Sequence, residues 1–319
     1  MYCAAYFNRA YIANNNDVWL CCKRRTPVAK YDGTFDFFHN DEYQRLRNIK
    51  ERDPECKRCW IDEDSGVKSL RQTYNEKFGT DGVVDLNHLE FEHDNICNLK
   101  CVMCNENFST EWGIEKFGKE NYKSFLRQMI LPKEMPENLR SVMFYGGEPF
   151  MTNRHITTLE KIEDKSAVDL FYTTNAQFPL SNEILDFLRQ FKSISITCSI
   201  DAIGMKSEHF RRGSKWSTTV DFIDRLISYK DDFFSRGLAA HTTIHKQSFL
   251  ELIEIENFLI SKGIDIESCW NVGFVEDPVE WKMSELEEMM MYFIAEDLQS
   301  NYVKNKVQSR LRSSTGQSS

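Results

Sequence analysis

Three closely spaced cysteines constrain this chain more than any other feature of its sequence. Cys97, Cys101 and Cys104 form the pattern C-x3-C-x2-C directly after a strand-like run at residues 86–92. Three thiolates can ligate three irons of a cubane cluster, and the fourth iron is then open to a cofactor or substrate. A pure electron carrier normally uses four cysteine ligands. The pattern therefore favours a reactive iron-sulfur cluster.

A structural zinc site is the alternative interpretation of these cysteines, because short Cys spacings also bind zinc. Zinc normally takes a fourth ligand close by. The nearest candidates are His93, which lies on the predicted strand, and Asn105, which is a poor ligand. The spacing alone leaves both metals open.

The composition limits the class of protein and its partners. The chain has 319 residues, 41% of them hydrophobic, which suffices for one large domain and a small one. A net charge of -9 argues against a general nucleic-acid binder. There is no signal-like start and no apolar run near the ~20 residues of a membrane helix, so we expect a soluble, cytoplasmic protein without a membrane partner. In that compartment the ten cysteines are expected to be metal ligands or redox thiols.

From residue 86 onward, strand-like and helix-like segments alternate. β-Branched and aromatic runs predict six strands, at residues 86–92, 141–145, 168–173, 193–200, 239–244 and 269–275. Helix-like segments lie between them, at residues 121–130, 156–162, 182–191, 218–235 and 249–262. This alternation is typical of parallel βαβ units. Six units predict an α/β fold with a partial (β/α)6 TIM-type barrel.

Polar and glycine features follow five of the predicted strands. In chain order they are the loop of Cys97, Cys101 and Cys104, then Gly146-Gly147-Glu148-Pro149, Asn175, Ser199 with Asp201, and His245. Turn chemistry explains any one of them. In a parallel barrel, however, the carboxyl ends of the strands form one rim, where active sites lie. We therefore expect these features to converge there.

The glycine segment has a physical rationale of its own. Gly146 and Gly147 let the backbone approach a ligand closely, and free carbonyls can accept hydrogen bonds from an ammonium group. Glu148 would add negative charge, and Pro149 would fix the turn. These residues predict an amino-acid-like ligand. A phosphate is disfavoured because no P-loop lysine follows and the carboxylate would repel it.

With the C-x3-C-x2-C loop one strand ahead of the Gly-Gly-Glu-Pro segment, residues 85–275 resemble the radical S-adenosylmethionine (SAM) enzymes. The resemblance implies a [4Fe-4S] cluster on Cys97, Cys101 and Cys104, with SAM on the open iron. It also implies that residues 146–149 hold the SAM amino group. Further contacts with SAM are implied for Met103 at the adenine, and for Asn175, Ser199, Asp201 and Arg211 at the ribose or carboxylate. The family often has an aromatic residue where this chain has Met103.

The first 85 residues are similar to the twitch domain, a short relative of the SPASM domain that holds a second iron-sulfur cluster. Residues 3–22 read as a hairpin with an Asn-rich turn, and a Cys-x2-Cys pair follows at Cys56 and Cys59. The resemblance implies an auxiliary cluster whose ligands come from Cys3, Cys21 or Cys22, Cys56 and Cys59. In relatives this domain follows the barrel, whereas here it precedes it. A zinc knuckle is the alternative for these cysteines.

The sequence therefore divides into an auxiliary domain at residues 1–85, a radical SAM core at 86–283, and a C-terminal segment at 284–319. The last begins with a capping box at Ser284 and Glu287 and ends in a tail expected to be disordered. Cys198 and Cys269 lie in predicted strands and are expected to be core thiols. Cys22 is a ligand, a hydrogen-atom donor or a packing residue.

The resemblance implies one-electron cleavage of SAM to a 5′-deoxyadenosyl radical, with a flavodoxin or ferredoxin as electron donor. The leading hypothesis is an oxidoreductase- or transferase-type enzyme that modifies or oxidises a peptide or protein side chain. A second hypothesis keeps the chemistry but takes a small molecule such as a sugar, aminocyclitol or nucleotide. A third is a non-catalytic iron-sulfur or zinc protein on a barrel scaffold.

Overall fold

The computed structural model describes residues 2–64, 66, 68–229, 237–244, 248–274, 298–301 and 303–305. Its strands in chain order are β1 Arg9–Ile12, β2 Asp17–Trp19, β3 Ala29–Lys30, β4 His88–Glu92, β5 Lys100–Cys101, β6 Ser141–Tyr145, β7 Asp169–Thr174, β8 Ser193–Ser199, β9 Arg211–Arg212, β10 Leu238–Ile244 and β11 Trp270–Phe274. Nine of them form one sheet in the order β11-β10-β8-β7-β6-β4-β1-β2-β3, and β5 pairs with β9.

All six strands predicted after residue 86 are present and run parallel to their neighbours. Their bounds differ from the predicted ones by at most two residues. The sheet order has free ends at β11 and β3, so the sheet is open within the described ranges. The prediction of an α/β fold with a large parallel sheet, in keeping with a partial TIM-type barrel, is confirmed.

The helices in chain order are α1 Ala5–Asn8, α2 Asp41–Arg47, α3 Lys57–Asp64, α4 Leu70–Phe78, α5 Thr110–Phe117, α6 Tyr122–Phe125, α7 Arg154–Leu159, α8 Asn182–Leu188, α9 Gly204–Phe210, α10 Trp216–Ser228 and α11 Leu252–Ser261. Ser181 caps α8 by accepting a hydrogen bond from the Ile184 amide at 3.3 Å, as its sequence position predicts. None of the helices in these ranges is long and apolar enough to cross a membrane.

The predicted helix at residues 121–130 is wrong over its second half. It ends at Phe125, because the buried Asn95 side chain accepts from the Arg127 amide at 2.9 Å and donates to the Phe125 carbonyl at 2.9 Å. Residues 126–130 then run alongside the loop after β4, where Gln128 bridges Asp94. Tertiary hydrogen bonds thus outweigh the local helical pattern here.

The N-terminal segment continues the sheet of the rest of the chain. β1 and β2 form the predicted hairpin around the Asn-rich turn, with Ile12 opposite Val18. β1 also runs parallel to β4, with Arg9 opposite His88. Buried side chains of both segments belong to one core. The boundary predicted at residue 85 therefore does not coincide with a break in the sheet.

The two faces of the central strands differ. On β6, and on β7 and β8 after their buried first residues Asp169 and Ser193, buried residues alternate with half-buried ones. The buried side, which includes Phe144, Leu170 and Ile196, packs in one core with residues of α7, α8, α10 and α11. The other side carries residues such as Tyr145 and Thr173. Parallel barrels show this contrast between a helix-covered outer side and a lumen-facing inner side.

His245, Ser284 and Glu287 lie outside the described residues. The same holds for most of the predicted C-terminal segment.

Candidate active site

The carboxyl ends of β4, β6, β7 and β8 lie on one rim because these strands are parallel neighbours. Hydrogen bonds tie the segments that follow them. The Glu148 amide donates to the Ile96 carbonyl at 2.7 Å, and the Asn175 amide donates to the Glu148 carboxylate at 2.7 Å. The convergence expected from the sequence pattern is therefore observed for these segments.

The start of α5 is hydrogen-bonded to the cysteine loop. Ser109, the N-cap residue, donates to the Leu99 carbonyl at 2.6 Å. The Trp112 indole donates to the Cys101 carbonyl at 2.9 Å. The loop is also paired through β5 with β9. Sequence reasoning missed α5, although Ser109 before it and Gly118 after it are ordinary helix-end signals.

Cys97, Cys101 and Cys104 lie close enough for their charges to interact. Burial raises the pKa of Cys97 to about 12, and the charges of Cys101 and Cys104 add to this. Burial likewise raises the pKa of Cys104 to about 11, with a contribution from Cys101. A bound metal ion deprotonates such thiols outright. Three adjacent, largely buried thiols are a suitable donor set for an iron-sulfur cluster.

Gly146 and Gly147 are needed where two backbone segments meet. Gly146 has a φ of +126°, and a Cβ on Gly147 would lie 2.2 Å from the Ile96 carbonyl oxygen. The Gly147 amide donates to the Asp94 carbonyl at 3.0 Å. The glycines thus allow residues 146–149 to pack against the start of the cysteine loop. From the sequence, we had explained these glycines only by the close approach of a ligand.

Glu148 is fully buried, and its carboxylate connects two segments of the rim through hydrogen bonds. Its carboxylate accepts from the Thr174 hydroxyl at 2.8 Å, from the Asn175 amide and from the Phe150 amide at 3.2 Å. Burial raises its pKa to about 7 against these hydrogen bonds. Both oxygens are therefore engaged by protein donors. The expectation that Glu148 places free charge beside a ligand does not agree with these contacts.

Asn175 and Arg211 both reach the cysteines. The Asn175 amide nitrogen lies 3.7 Å from the Cys97 sulfur and donates to Asn98 at 2.9 Å. The Arg211 guanidinium lies 3.9 Å from the Cys101 sulfur. Each side chain therefore offers an N–H donor to a thiolate, and such contacts stabilise a negatively charged cluster.

Arg211 is also paired with Asp201. Their side chains are 2.6 Å apart, and both are nearly inaccessible to solvent. Burial is the largest single influence on Arg211 and opposes its charge, but Asp201, Cys101 and Cys97 together outweigh burial and raise the pKa. Arg211 Nε has no hydrogen-bond partner within the described ranges. A buried, incompletely satisfied guanidinium beside thiols fits an anionic guest.

The remaining predicted residues lie on the same rim with fewer contacts. Met103 and Ser199 are half-buried, Met103 in the turn between Cys101 and Cys104 and Ser199 as the last residue of β8. Pro149 is buried and opens the 3-10 helix Pro149–Met151.

Four N-terminal cysteines come together away from this rim. Burial raises the pKa of Cys3 to about 12, with contributions from Cys21, Cys56 and Cys59. The charge of Cys21 likewise raises the pKa values of Cys56 and Cys59, after the effect of burial. The sequence left Cys21 and Cys22 as alternatives. Cys21 is the one whose charge raises the pKa values of all three other cysteines in this group.

Cys22 points to different neighbours. Its thiol is accessible to solvent, yet crowding by protein raises its pKa to about 11, with contributions from Cys21 and Glu90. Glu90 is paired with the buried Arg9 and accepts from the Tyr145 hydroxyl at 3.0 Å. Cys22 therefore lies between the four-cysteine group and the inner face of the sheet.

Within the described ranges, no three His, Cys, Asp or Glu side chains converge on a single metal ion. The thiolates of a cubane bind separate irons, so a cluster does not require such convergence. His93, the zinc ligand considered from sequence, is buried, contacts the Thr158 hydroxyl at 2.9 Å and stacks on Phe91 and Phe144.

A family model described as the Radical SAM superfamily matches residues 91–259, just over half of the chain. This chain belongs to the radical SAM superfamily. The matched region includes the three rim cysteines, the Gly-Gly-Glu-Pro segment and Arg211. Membership confirms the resemblance of residues 85–275 to the radical SAM enzymes, and it supports an enzyme that uses a [4Fe-4S] cluster and SAM.

The comparison with solved structures found matches at low identity. Streptococcus suis SuiB bound to S-adenosylmethionine is 17% identical, with 80% of this chain and 50% of SuiB covered and a TM-score of 0.42. SuiB bound to precursor peptide SuiA is 16% identical, with coverages of 82% and 54% and a TM-score of 0.44. Native anSMEcpe with bound AdoMet is 13% identical, with coverages of 66% and 59% and a TM-score of 0.43. This radical SAM chain spans little more than half the length of these proteins. No protein with a curated description matches it.

Proposed function

We propose that this chain reductively cleaves SAM at a [4Fe-4S] cluster held by Cys97, Cys101 and Cys104. One observation carries the proposal: the cysteine loop, the segment after β6 and the Arg211–Asp201 pair meet at one rim. When bound, the cluster and SAM would supply a 5′-deoxyadenosyl radical for hydrogen-atom abstraction.

The protein's own groups would hold and shield these reactants. Asn175 and Arg211 would donate N–H groups to the thiolates of Cys97 and Cys101. The unpartnered Nε of Arg211 would meet the carboxylate of SAM, and backbone of residues 146–149 would meet its amino group. Met103 and Ser199 are half-buried at the same rim and would contact the adenosine. We assign Glu148 and Asp201 to positioning, because protein donors already engage their carboxylates.

We further propose that Cys3, Cys21, Cys56 and Cys59 hold an auxiliary iron-sulfur cluster, with the first 85 residues forming a twitch-like unit. The electrostatic grouping of these four thiols supports this ligand set. Four cysteines can fully ligate a cubane, which suits electron transfer. Cys22 then stays outside the ligand set.

The substrate class that we propose is a peptide or protein side chain, oxidised with loss of an electron to the auxiliary cluster. The likeness of the N-terminal segment to twitch and SPASM domains supports this class, since relatives with those domains often act on peptides. A flavodoxin or ferredoxin would reduce the rim cluster. We also propose that the enzyme is an oxidoreductase and that it acts in the cytoplasm.

The SAM-cleavage proposal is tested by measuring 5′-deoxyadenosine after anaerobic reconstitution with SAM and dithionite. The wild-type chain should form it, and a Cys97→Ala/Cys101→Ala/Cys104→Ala variant should not. Cys269→Ala is the matched control, because this half-buried thiol lies directly before the edge strand β11, away from both cysteine groups. Product in the triple variant, or none in the wild type, would overturn the proposal.

Iron analysis tests the auxiliary cluster separately. Cys56→Ala/Cys59→Ala should lose about half of the bound iron and retain SAM cleavage in part. Cys22→Ala should keep the full iron content. Unchanged iron in the Cys56/Cys59 variant would contradict the ligand set, as would a loss in Cys22→Ala equal to that in Cys21→Ala.

A further inference from the structure

A second cavity opens at the opposite end of the sheet. Its volume is about 400 Å³, within the range of small-molecule sites. It lies where neighbouring strands begin: Asn8 precedes β1, Arg140 precedes β6, Asp169 begins β7 and Lys192 precedes β8. The C-terminal turn of α4, with Lys77 and Phe78, covers one side. The radical SAM residues occupy the other rim.

The cavity carries excess positive charge on a chain whose net charge is -9. Lys77, Arg140 and Lys192 line it together with one carboxylate, Asp169. Lys192 lies 3.5 Å from Asp169, whereas Arg140 has no ion-pair partner among the described residues. His88 in the wall is neutral, since burial and the charges of Lys77, Arg9 and Arg140 lower its pKa to about 3. Three cations and one anion leave a surplus of two charges, which matches a phosphate dianion.

The rest of the wall is aromatic and amide-bearing. Phe78 and Phe171 both line the cavity, and the Lys77 ammonium lies 5.1 Å and 5.4 Å from their ring centres. Asn8 is 8% exposed, and its side-chain oxygen has no hydrogen-bond partner among the described residues. The buried side-chain oxygen of Asn87 likewise finds no partner there. Buried side-chain oxygens without a hydrogen-bond donor are rare. After a small rotation of the Asn8 and Asn87 side chains, a ligand with polar ring atoms could form hydrogen bonds with them. A bare phosphate would make no contact with the rings of Phe78 and Phe171.

We propose that this cavity is a second ligand site, which binds a nucleoside monophosphate. The base would lie against the rings of Phe78 and Phe171, and the phosphate would meet Arg140, Lys192 and Lys77. The amides of Asn8 and Asn87 would contact polar atoms of the base or sugar. This site is separate from the SAM rim and does not depend on radical chemistry there.

Isothermal titration of the full, reconstituted chain tests the proposal. AMP, GMP, CMP and UMP are titrated with SAM at saturation, so that the adenosine site on the other rim is occupied. At least one nucleotide should bind one equivalent, and its nucleoside and inorganic phosphate should each bind about tenfold more weakly. Arg140→Ala and Lys192→Ala should each weaken nucleotide binding about tenfold.

Lys68→Ala is the control, because it removes an equally exposed lysine that pairs with Glu76 outside the cavity. It should leave the affinity unchanged. Failure of all four nucleotides to saturate would overturn the proposal. So would an affinity unaffected by Arg140→Ala and Lys192→Ala, or equal binding of phosphate alone. Arg140 and Lys192 are exposed, so neither variant is expected to lose the fold.

Discussion

Gly147→Ala tests whether the close approach of two rim segments positions the cysteine loop. The added Cβ would lie 2.2 Å from the Ile96 carbonyl oxygen, whereas ordinary contact begins near 3.4 Å. Because the opposing atom is backbone, the segments must separate by about 1 Å. That movement would stretch the hydrogen bonds from the Gly147 and Glu148 amides, now 3.0 Å and 2.7 Å, beyond useful length.

The expected cost follows from these contacts. Two backbone hydrogen bonds are worth about 1 kcal/mol each, and overpacking adds about 1–3 kcal/mol. We therefore expect Gly147→Ala to lower the free energy of unfolding by about 4 kcal/mol. For a chain of 319 residues this corresponds to a fall in Tm of about 6 °C. Because Cys97 follows Ile96 directly, the variant should also bind less iron at the rim.

Circular dichroism melts of the apo-protein and iron analysis after reconstitution measure both effects. Gly263→Ala is the matched control: its φ is +68°, but a Cβ there would meet no atom within 4 Å. It should cost only about 1 kcal/mol, the penalty of a left-handed alanine. If Gly147→Ala melted within about 2 °C of the wild type and bound full iron, the reasoning from close approach would be refuted.

Three further substitutions probe the rim. Arg211→Met leaves Asp201 buried without its cation and should lower the free energy of unfolding by about 3 kcal/mol in guanidinium titrations; a loss below about 1 kcal/mol would argue against the buried pair. The pKa of Glu148, raised to about 7 from 4.5, makes its folded form retain a proton that the unfolded chain releases. Its contribution to stability is therefore present below about pH 4.5 and lost as the pH rises through 7, by about 1–3 kcal/mol in the apo-protein, and Glu148→Gln should flatten that slope. Trp112→Phe removes the donor to the Cys101 carbonyl and should cost about 1 kcal/mol by thermal melt, with no change meaning that water replaces it.

The parallel strands could be predicted because their buried positions require apolar side chains, which are visible in the sequence. Strands such as β6 and β8 alternate between core and lumen, so their apolar and β-branched residues mark them locally. The failure at residues 126–130 has a different cause, since Asn95 captures that segment from 30 residues away. The parallel pairing of β1 with β4 was equally invisible, because the hairpin pattern does not reveal the outer neighbour of a strand.

At the site, sequence spacing identified the thiols and the rim but not how they are held. The donors to Cys97 and Cys101 come from Asn175 and Arg211, 78 and 110 residues further along the chain. Such contacts depend on the register of distant strands. The choice between Cys21 and Cys22 likewise depends on which way the chain turns after β2. Neither is encoded in a local pattern.

The central claim is that Cys97, Cys101 and Cys104 hold a cluster with one iron free to bind SAM. Electron paramagnetic resonance of the dithionite-reduced Cys56→Ala/Cys59→Ala variant, with and without SAM, tests it most directly. We predict a reduced [4Fe-4S] signal that persists in this variant and changes on addition of SAM, because SAM binds the iron that lacks a protein ligand. A reduced-cluster signal that SAM does not alter, or no cluster signal at all, would contradict the claim.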